Sequence, residues 1–393
     1  MYTGKISVDM LEDTHVVLGV TGSIAAVKTV ELAHELRREG AEVRAVMTGA
    51  AQSIIHPWSL EYATGNPVVT EITGSIEHVE LCGYDAWGDV LLLAPTTANT
   101  LGKMAGAIDD TPVTTCATTA FGSDVPILAV PAMHEPMYDH PGVLEAIETL
   151  ESWDVEFVDP RVEEGKAKIA SEETIVTEVA RATTPQTLAG ETIVVTSGAT
   201  TESIDPIRTL SNRASGRTGR AVARACYIRG AEVVVVHDGP DLPWATVEPV
   251  ESAREMRDAV LAHAEEADAV VSAAAISDYT VETAAEKIRS GADELTLSLE
   301  PTPKLIDDVR EDNPDLPIVG FKAETSGDDD KIVSQARSIL DRTNLTFVVG
   351  NDARVMGRDQ TRALLVDETT HEEFEGTKAE LGERVAAKLA ATL

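Results

Sequence analysis

Two glycine-hydroxyl turns stand where chemistry is most easily built. The β-branched run HVVLGV (15–20) ends in Thr21-Gly22-Ser23 and continues into small residues with helical character, and TIVVT (192–196) ends likewise in Ser197-Gly198-Ala199-Thr200. A hydroxyl-lined turn at a helix start offers backbone N–H groups and the positive end of the helix dipole, which is chemistry for holding an anion. The first turn fails two stricter patterns. A dinucleotide site asks for G-x-G-x-x-G and an acidic residue closing the second strand, whereas here the turn reads TGSIAA and the second strand ends Val46-Met47-Thr48-Gly49. A P-loop asks for Gly-Lys-Ser/Thr, which does not follow. What is left is room for one phosphate monoester, as in a mononucleotide or a flavin phosphate, with Thr48 on the neighbouring strand end, or a tight strand-helix connection that holds nothing.

Such turns act only if strands hold them at one edge of a sheet. Apolar β-branched runs recur at 15–20, AEVRAVM (41–47), DVLLLAP (89–95) and VPILAVP (125–131), separated by segments of helical period such as VKTVELAHELRREG. Short buried strands alternating with helices predict a parallel sheet covered on both faces. The pattern stops at ARATTPQTLAGE (180–191), which has the composition of a linker. It restarts at 192–200 and continues through AEVVVVHDG (231–239), DAVVSAAAISDY (268–279), PIVGFKAET (317–325) and LTFVVGND (345–352). The fold class is therefore α/β, with two doubly wound domains at 1–184 and 191–393 and a ligand site beyond the carboxyl ends of the strands in each. Around 282–300 the pattern departs and predicts a charged hairpin or flap outside the sheet.

At 393 residues the chain exceeds what one core usually supports, in accord with two domains. Its formal net charge is −35, from 67 Asp and Glu against 32 Lys and Arg. Such a surface repels nucleic acid and anionic membranes and leaves small molecules as the expected partners. Self-repulsion fades at about 1 M salt, where the screening length is about 3 Å, so the composition predicts a salt-rich, halophilic cytoplasm. No run reaches the roughly 18 apolar residues of a membrane span, and MYTGKISVDMLED has no signal-peptide core, so a cytoplasmic protein is expected. Cys82, Cys116 and Cys226 follow neither metal-ligand nor disulfide spacing and are expected to be small buried hydrophobes.

Past the strand at 89–95 comes APTTANTLGKMAGAIDDT (94–111), and past that at 125–131 comes PAMHEPMY (131–138). These resemble the PASANT and PxMNxxMW signatures of the flavin-dependent cysteine decarboxylases, and IEHVEL (76–81) is similar to that family's active-site histidine segment. The resemblance implies a flavodoxin-like, FMN-dependent phosphopantothenoylcysteine decarboxylase that forms trimers. It implies that Gly22, Ser23, Ile24, Thr48, Ser59, Thr97 and Asn99 hold FMN, that His78 is the catalytic base or proton relay, and that His134 holds the substrate carboxylate where the family has asparagine. Decarboxylating an N-acyl cysteine leaves a carbanion with no neighbouring sink, which the flavin supplies by transient oxidation of the thiol to a thioaldehyde. An imidazole with an ordinary pKa of about 6.5 suits the proton transfers. The family's substrate-clamp loop carries a cysteine that VEEGKAKIA (162–170) lacks, which leaves Lys166 or Lys168 as proton donor or as a solvated loop residue.

The second turn opens TSGATTESIDPIRTLSNRASGRTG (196–219), far longer than an ordinary strand-helix connection, and long loops on α/β scaffolds are usually functional. It resembles the opening of phosphopantothenate-cysteine ligase, TAGPTxExxDPVRxISNxSSGxxG, and SAAAISDY, EKI, PTPKLI, VGFKAET and Asn351-Asp352 follow in that family's order. The resemblance implies that CTP with Mg2+ activates the phosphopantothenate carboxylate as an acyl-cytidylate and that the amine of cysteine then displaces CMP. It gives catalytic roles to Asn212, at the acyl-cytidylate, and Lys287, at the phosphates. It puts Ser215 and Gly216 at the substrate's own phosphate, Ser272, Ala273, Ala274 and Asp278 at the nucleotide, and Phe321 with Pro303, Lys304, Leu305 and Ile306 near the base. The motifs do not separate CTP from ATP. Together the halves imply a bifunctional enzyme of coenzyme A biosynthesis with trimeric contacts in the first half and dimeric contacts in the second. The rivals are an active ligase fused to an inactive flavin-binding regulatory domain, and an NAD-type dehydrogenase, which the missing acidic residue after the second strand disfavours.

Overall fold

The β-branched runs become strands with both faces covered. In the computed structural model, which describes residues 10–163, 166–289, 294–324, 329–352 and 360–393, all of Val90–Thr96 and all but the first residue of His15–Val20 are buried. The chain divides into two compact units, one ending at Thr184 and the other continuing from Pro185.

In the first unit, β1 (His15–Val20), β2 (Glu42–Met47), β3 (Val90–Thr96), β4 (Ile127–Pro131) and β5 (Val155–Phe157) form a parallel sheet in the order β2-β1-β3-β4-β5. This is the flavodoxin-like order, whose switch point lies between β1 and β3. The helix Thr29–Arg38 buries Thr29, Leu32, Ala33 and Leu36, the i, i+3, i+4, i+7 stripe of one face. Val17, Leu91, Leu93, Val113 and Leu150 belong to the core of this unit.

In the second unit, β6 (Thr192–Thr196), β7 (Glu232–His237), β8 (Thr246–Pro249), β9 (Ala269–Ser272), β10 (Ile318–Glu324), β11 (Phe347–Asp352), β12 (Gln360–Val366) and β13 (His371–Thr377) form one sheet in the order β8-β7-β6-β9-β10-β11-β12-β13. The strands from β8 to β11 are parallel and reproduce the Rossmann order, with the switch point between β6 and β9. The antiparallel strands β12 and β13 extend this sheet beyond the alternation that the sequence shows. β13 carries Glu372, Glu373 and Glu375, and charges of this kind keep an edge strand from pairing with other chains. A separate ribbon pairs Tyr279–Val281 with Leu299–Pro301, in agreement with the expected flap.

Cys82, Cys116 and Cys226 are all buried and free. Among the described residues no helix is long and apolar enough to cross a membrane.

Candidate functional site

A cavity of about 540 Å3 is lined by residues that follow β1, β3 and β4, at the first switch point. Ser23 caps the short helix Ile24–Lys28, its Oγ accepting from Ala25 N at 3.3 Å and donating to Ala132 O at 2.9 Å, so the turns after β1 and β4 are tied together. Thr21 Oγ1 donates to Pro95 O at 2.7 Å and locks the β1 turn to β3. Thr97 caps the helix Ala98–Ala105 by accepting from Thr100 N at 3.3 Å. Gly22 is required by close approach, since a Cβ there would stand 2.5 Å from Ala50 Cβ.

The walls of this cavity are apolar. Ile24, Val27 and Met137 line it while remaining 79%, 54% and 49% exposed. Large apolar side chains left open beside two capped helix starts fit a flat heteroaromatic ring that carries a phosphate, and the volume is that of an ordinary cofactor pocket. Charge enters through Lys168 and Lys28, the latter 3.7 Å from Glu172, and His134 adds an imidazole. The strand Lys166–Lys168 pairs with both Met133–His134 and Arg161–Glu163, so the loop that lacks a cysteine is laid as a hairpin against His134. The side chain of Lys166 lies outside the described residues.

The structure therefore brings Gly22, Ser23, Ile24, Thr97 and His134 to one cavity. Thr48 is buried and caps Gly49–Gln52 through Ala51 N at 3.2 Å, outside the lining. Ser59 and Asn99 are exposed and also stand outside it. His78 departs further, because its helix, Glu77–Cys82, packs on Pro112–Phe121 and its Nδ1 is buried with no hydrogen-bond partner among the described residues, away from this lining. Motif order along the chain does not specify where the long β2–β3 connection places a helix.

A second cavity, of about 590 Å3, lies at the other switch point, between the turn after β6 and the residues after β9. Thr196 Oγ1 accepts from Ala273 N and Ala274 N, both at 3.1 Å, and Ala275 N donates to Gly198 O at 2.8 Å, which joins the two sides. Asn212 Nδ2 donates to Ala275 O at 3.0 Å and so fixes its amide at the wall. Gly216 starts the helix Arg217–Ile228 with φ +71°, and Ser197 Oγ donates to its carbonyl at 2.8 Å. A left-handed residue at this point suits glycine.

The charge of this cavity inverts that of the chain. Among the described residues, six bases, Arg213, Arg217, Lys304, Lys322, Arg342 and Lys378, line it against one acid, Asp278, which Lys304 meets at 2.7 Å. Ile306, Phe321 and Ile339 supply an apolar section. Of the residues expected from sequence, Asn212, Ser215, Gly216, Ser272, Ala273, Ala274, Asp278, Lys304, Ile306 and Phe321 line the cavity. Three do not. Leu305 is 3% exposed and, with Val309, forms the inward face of the helix Leu305–Asp312, because the PTPKLI turn passes directly into a helix. Pro303 lines a neighbouring polar cavity of about 330 Å3, and Lys287 is exposed on an arm outside the lining. Arg213, Arg217 and Lys322 lie inside the motifs quoted above without an assigned role there, whereas Arg342 and Lys378 come from helices outside those motifs. Among the described residues no group of three or more His, Cys, Asp and Glu is arranged to hold a metal.

Two family models match successive parts of the chain. Residues 5–184 match the family model described as Flavoprotein, and residues 188–393 match that of the DNA/pantothenate metabolism flavoprotein C-terminal domain. The chain is 49% identical over 378 residues to the coenzyme A biosynthesis bifunctional protein CoaBC of Thermococcus kodakarensis, covering 94% of this chain and 93% of that protein. This chain belongs to the CoaBC family. The CoaBC protein of Methanocaldococcus jannaschii is 36% identical over 386 residues, covering 97% and 94%, and that of Bacillus subtilis is 33% identical over 365 residues, covering 88% of each. As a CoaBC protein the chain is a bifunctional enzyme of coenzyme A biosynthesis, with a decarboxylase in its flavoprotein half and a ligase in its C-terminal half.

Proposed function

We propose that the second cavity joins cysteine to 4'-phosphopantothenate at the expense of CTP, and that the first, with FMN bound, decarboxylates the product to 4'-phosphopantetheine. The observation that carries this is the charge inversion of the second cavity, whose described lining holds six basic residues and one acid in a chain of net charge −35. Concentrated positive charge is needed where several phosphates must be held against a field that repels them.

In the ligase cavity a carboxylate oxygen of phosphopantothenate attacks the α-phosphorus of CTP and pyrophosphate leaves. The amine of cysteine then attacks the acyl carbon and CMP leaves. The turn Ser215-Gly216 and Arg217 take the substrate's phosphate, Asn212 holds the acyl-cytidylate by its amide, and Lys287, Lys322, Arg342 and Lys378 face the triphosphate. Phe321 and Ile306 pack the base beside Asp278, Ser272, Ala273, Ala274 and Lys304. Mg2+ would enter on the nucleotide's phosphates with water completing its shell.

Bound in the decarboxylase cavity, FMN would supply the reversible two-electron oxidation of the CH2–SH group to a thioaldehyde, whose C=S takes up the electron pair left when CO2 departs. Gly22, Ser23, Ile24 and Thr97 hold it, backed by Thr48, Ser59 and Asn99. His134 binds the substrate carboxylate, and Lys168, on the hairpin without a cysteine, returns the proton that replaces CO2 on carbon. His78 relays a proton to the cavity of a neighbouring copy, in keeping with its place outside the lining of its own chain's cavity and its buried Nδ1, unpartnered among the described residues. This supports trimeric contacts in the first half, to which dimeric contacts in the second would add. The acidic surface supports work in a salt-rich cytoplasm.

The purified protein is expected to be yellow and to release FMN in equimolar amount on denaturation. Colourless protein that does not take up added FMN would overturn the decarboxylase assignment, and a flavin-loaded protein that ligates without evolving CO2 would favour an inactive regulatory first half.

A further inference from the structure

Only part of the long loop after β6 reaches the ligase cavity. Gly198 and residues 212–219 line it, whereas Glu202, Ser203, Ile204, Asp205 and Arg208 are bonded to residues 280–288, which are remote in sequence. Glu202 Oε2 accepts from Thr280 Oγ1 at 2.7 Å, Ser203 O accepts from Thr283 Oγ1 at 2.8 Å and Ile204 O accepts from Ala284 N at 2.9 Å. At the far end both polar groups of the Ile288 backbone are taken: Ile288 N donates to Asp205 Oδ2 at 3.1 Å, and Arg208 Nη1 donates to Ile288 O at 3.0 Å.

The two residues that grip Ile288 also hold each other. Arg208 Nη1 lies 2.6 Å from Asp205 Oδ2, and Asp205 Oδ1 accepts from Ile207 N at 2.8 Å and Arg208 N at 2.9 Å. Burial raises the Asp205 carboxyl, but the N–H groups of Ile207, Arg208 and Ile288 and the Arg208 guanidinium outweigh it and hold the pKa at about 2, so the group is a carboxylate at working pH. At its root, the 280–288 arm begins beside Asp278, and the chain returns to the cavity at Lys304; both residues line it. Lys287, immediately before the gripped residue, is exposed.

We infer that residues 202–208 serve the ligase reaction as a positioning clamp, with Asp205 and Arg208 fixing the backbone beside Lys287 so that this lysine is presented to the triphosphate of the nucleotide. The inference rests on the proposed contact between Lys287 and the phosphates. Asp205 and Arg208 are positioning residues and touch no substrate. A lysine on an unanchored arm would lose much backbone freedom on meeting a phosphate, and a clamp formed during folding removes that cost from binding.

The test compares Lys287→Ala, Arg208→Gln, Asp205→Asn and the Arg208→Gln/Lys287→Ala double variant by CTP-dependent pyrophosphate release and by amide hydrogen exchange. Arg208→Gln is expected to raise the KM for CTP by up to about tenfold with a smaller change in kcat, to speed exchange at 284–288 and to leave the flavin spectrum unaltered. Arg208→Lys should recover part of the loss. The double variant should match Lys287→Ala alone, because a clamp that acts through the lysine has nothing left to position. Wild-type KM in Arg208→Gln beside an impaired Lys287→Ala, or losses that add in the double variant, would overturn the clamp while leaving the role of Lys287 standing. An unimpaired Lys287→Ala would overturn that role instead, and the clamp with it. Should Asp205→Asn fail to fold, Arg208→Gln still decides, since the Arg208 side chain is 41% exposed.

Discussion

Replacing Asn212 by Ala is expected to lower CTP-dependent amide formation by about 10²- to 10³-fold, the usual loss when a donor fixed at a reacting acyl group is removed. The flavin spectrum and the decarboxylation of supplied 4'-phosphopantothenoylcysteine should be unchanged. The effect is expected on chemistry and not on folding. Asn212 is exposed, and the carbonyl of Ala275 that its Nδ2 meets at 3.0 Å also accepts from Thr200 N at 3.4 Å, so the wall keeps a partner when the side chain is removed. Pyrophosphate release and the mass of the product provide the measurement. Ligation at an undiminished rate would remove Asn212 from the reaction.

Changing His78 to Asn should slow decarboxylation by about 10²- to 10⁴-fold, the range lost with a positioned acid or base, and leave ligation intact. The more telling result comes from mixing. His78→Asn chains retain His134, and His134→Ala chains retain His78, so if a cavity borrows its histidine from another copy, exchange of subunits between the two inactive variants rebuilds some complete sites. Partial recovery of CO2 release in the mixture is expected. If His78 served the cavity of its own chain, the mixture would stay as inactive as its components.

The architecture was plain in the sequence because strand burial and switch-point turns are local properties. VVLGV and VLLLAP could only be covered strands, and the hydroxyls of Thr21, Ser23 and Thr97 sit where a strand yields to a helix. What escaped depended on distance. The 202–208 segment looks like ligand-binding loop in sequence, and only the bonds to Thr280, Thr283, Ala284 and Ile288 show that it braces another segment. Leu305 sits within the PTPKLI motif yet faces the core, because the helical period beginning there is stronger than its neighbours' role at the cavity. Arg342 and Lys378 come from helices far along the chain, and no motif connects them to Arg217. β13 passed unseen because glutamates interrupt its apolar alternation.

The most direct test supplies the flavin-loaded protein with 4'-phosphopantothenate, cysteine, CTP and Mg2+, and follows pyrophosphate and CO2 together. Pyrophosphate should appear first and CO2 should follow to the same final amount, with 4'-phosphopantetheine as the accumulating product. Release of CO2 without pyrophosphate, or no turnover of either kind in a protein that retains its flavin, would contradict the assignment of two cooperating sites to one chain.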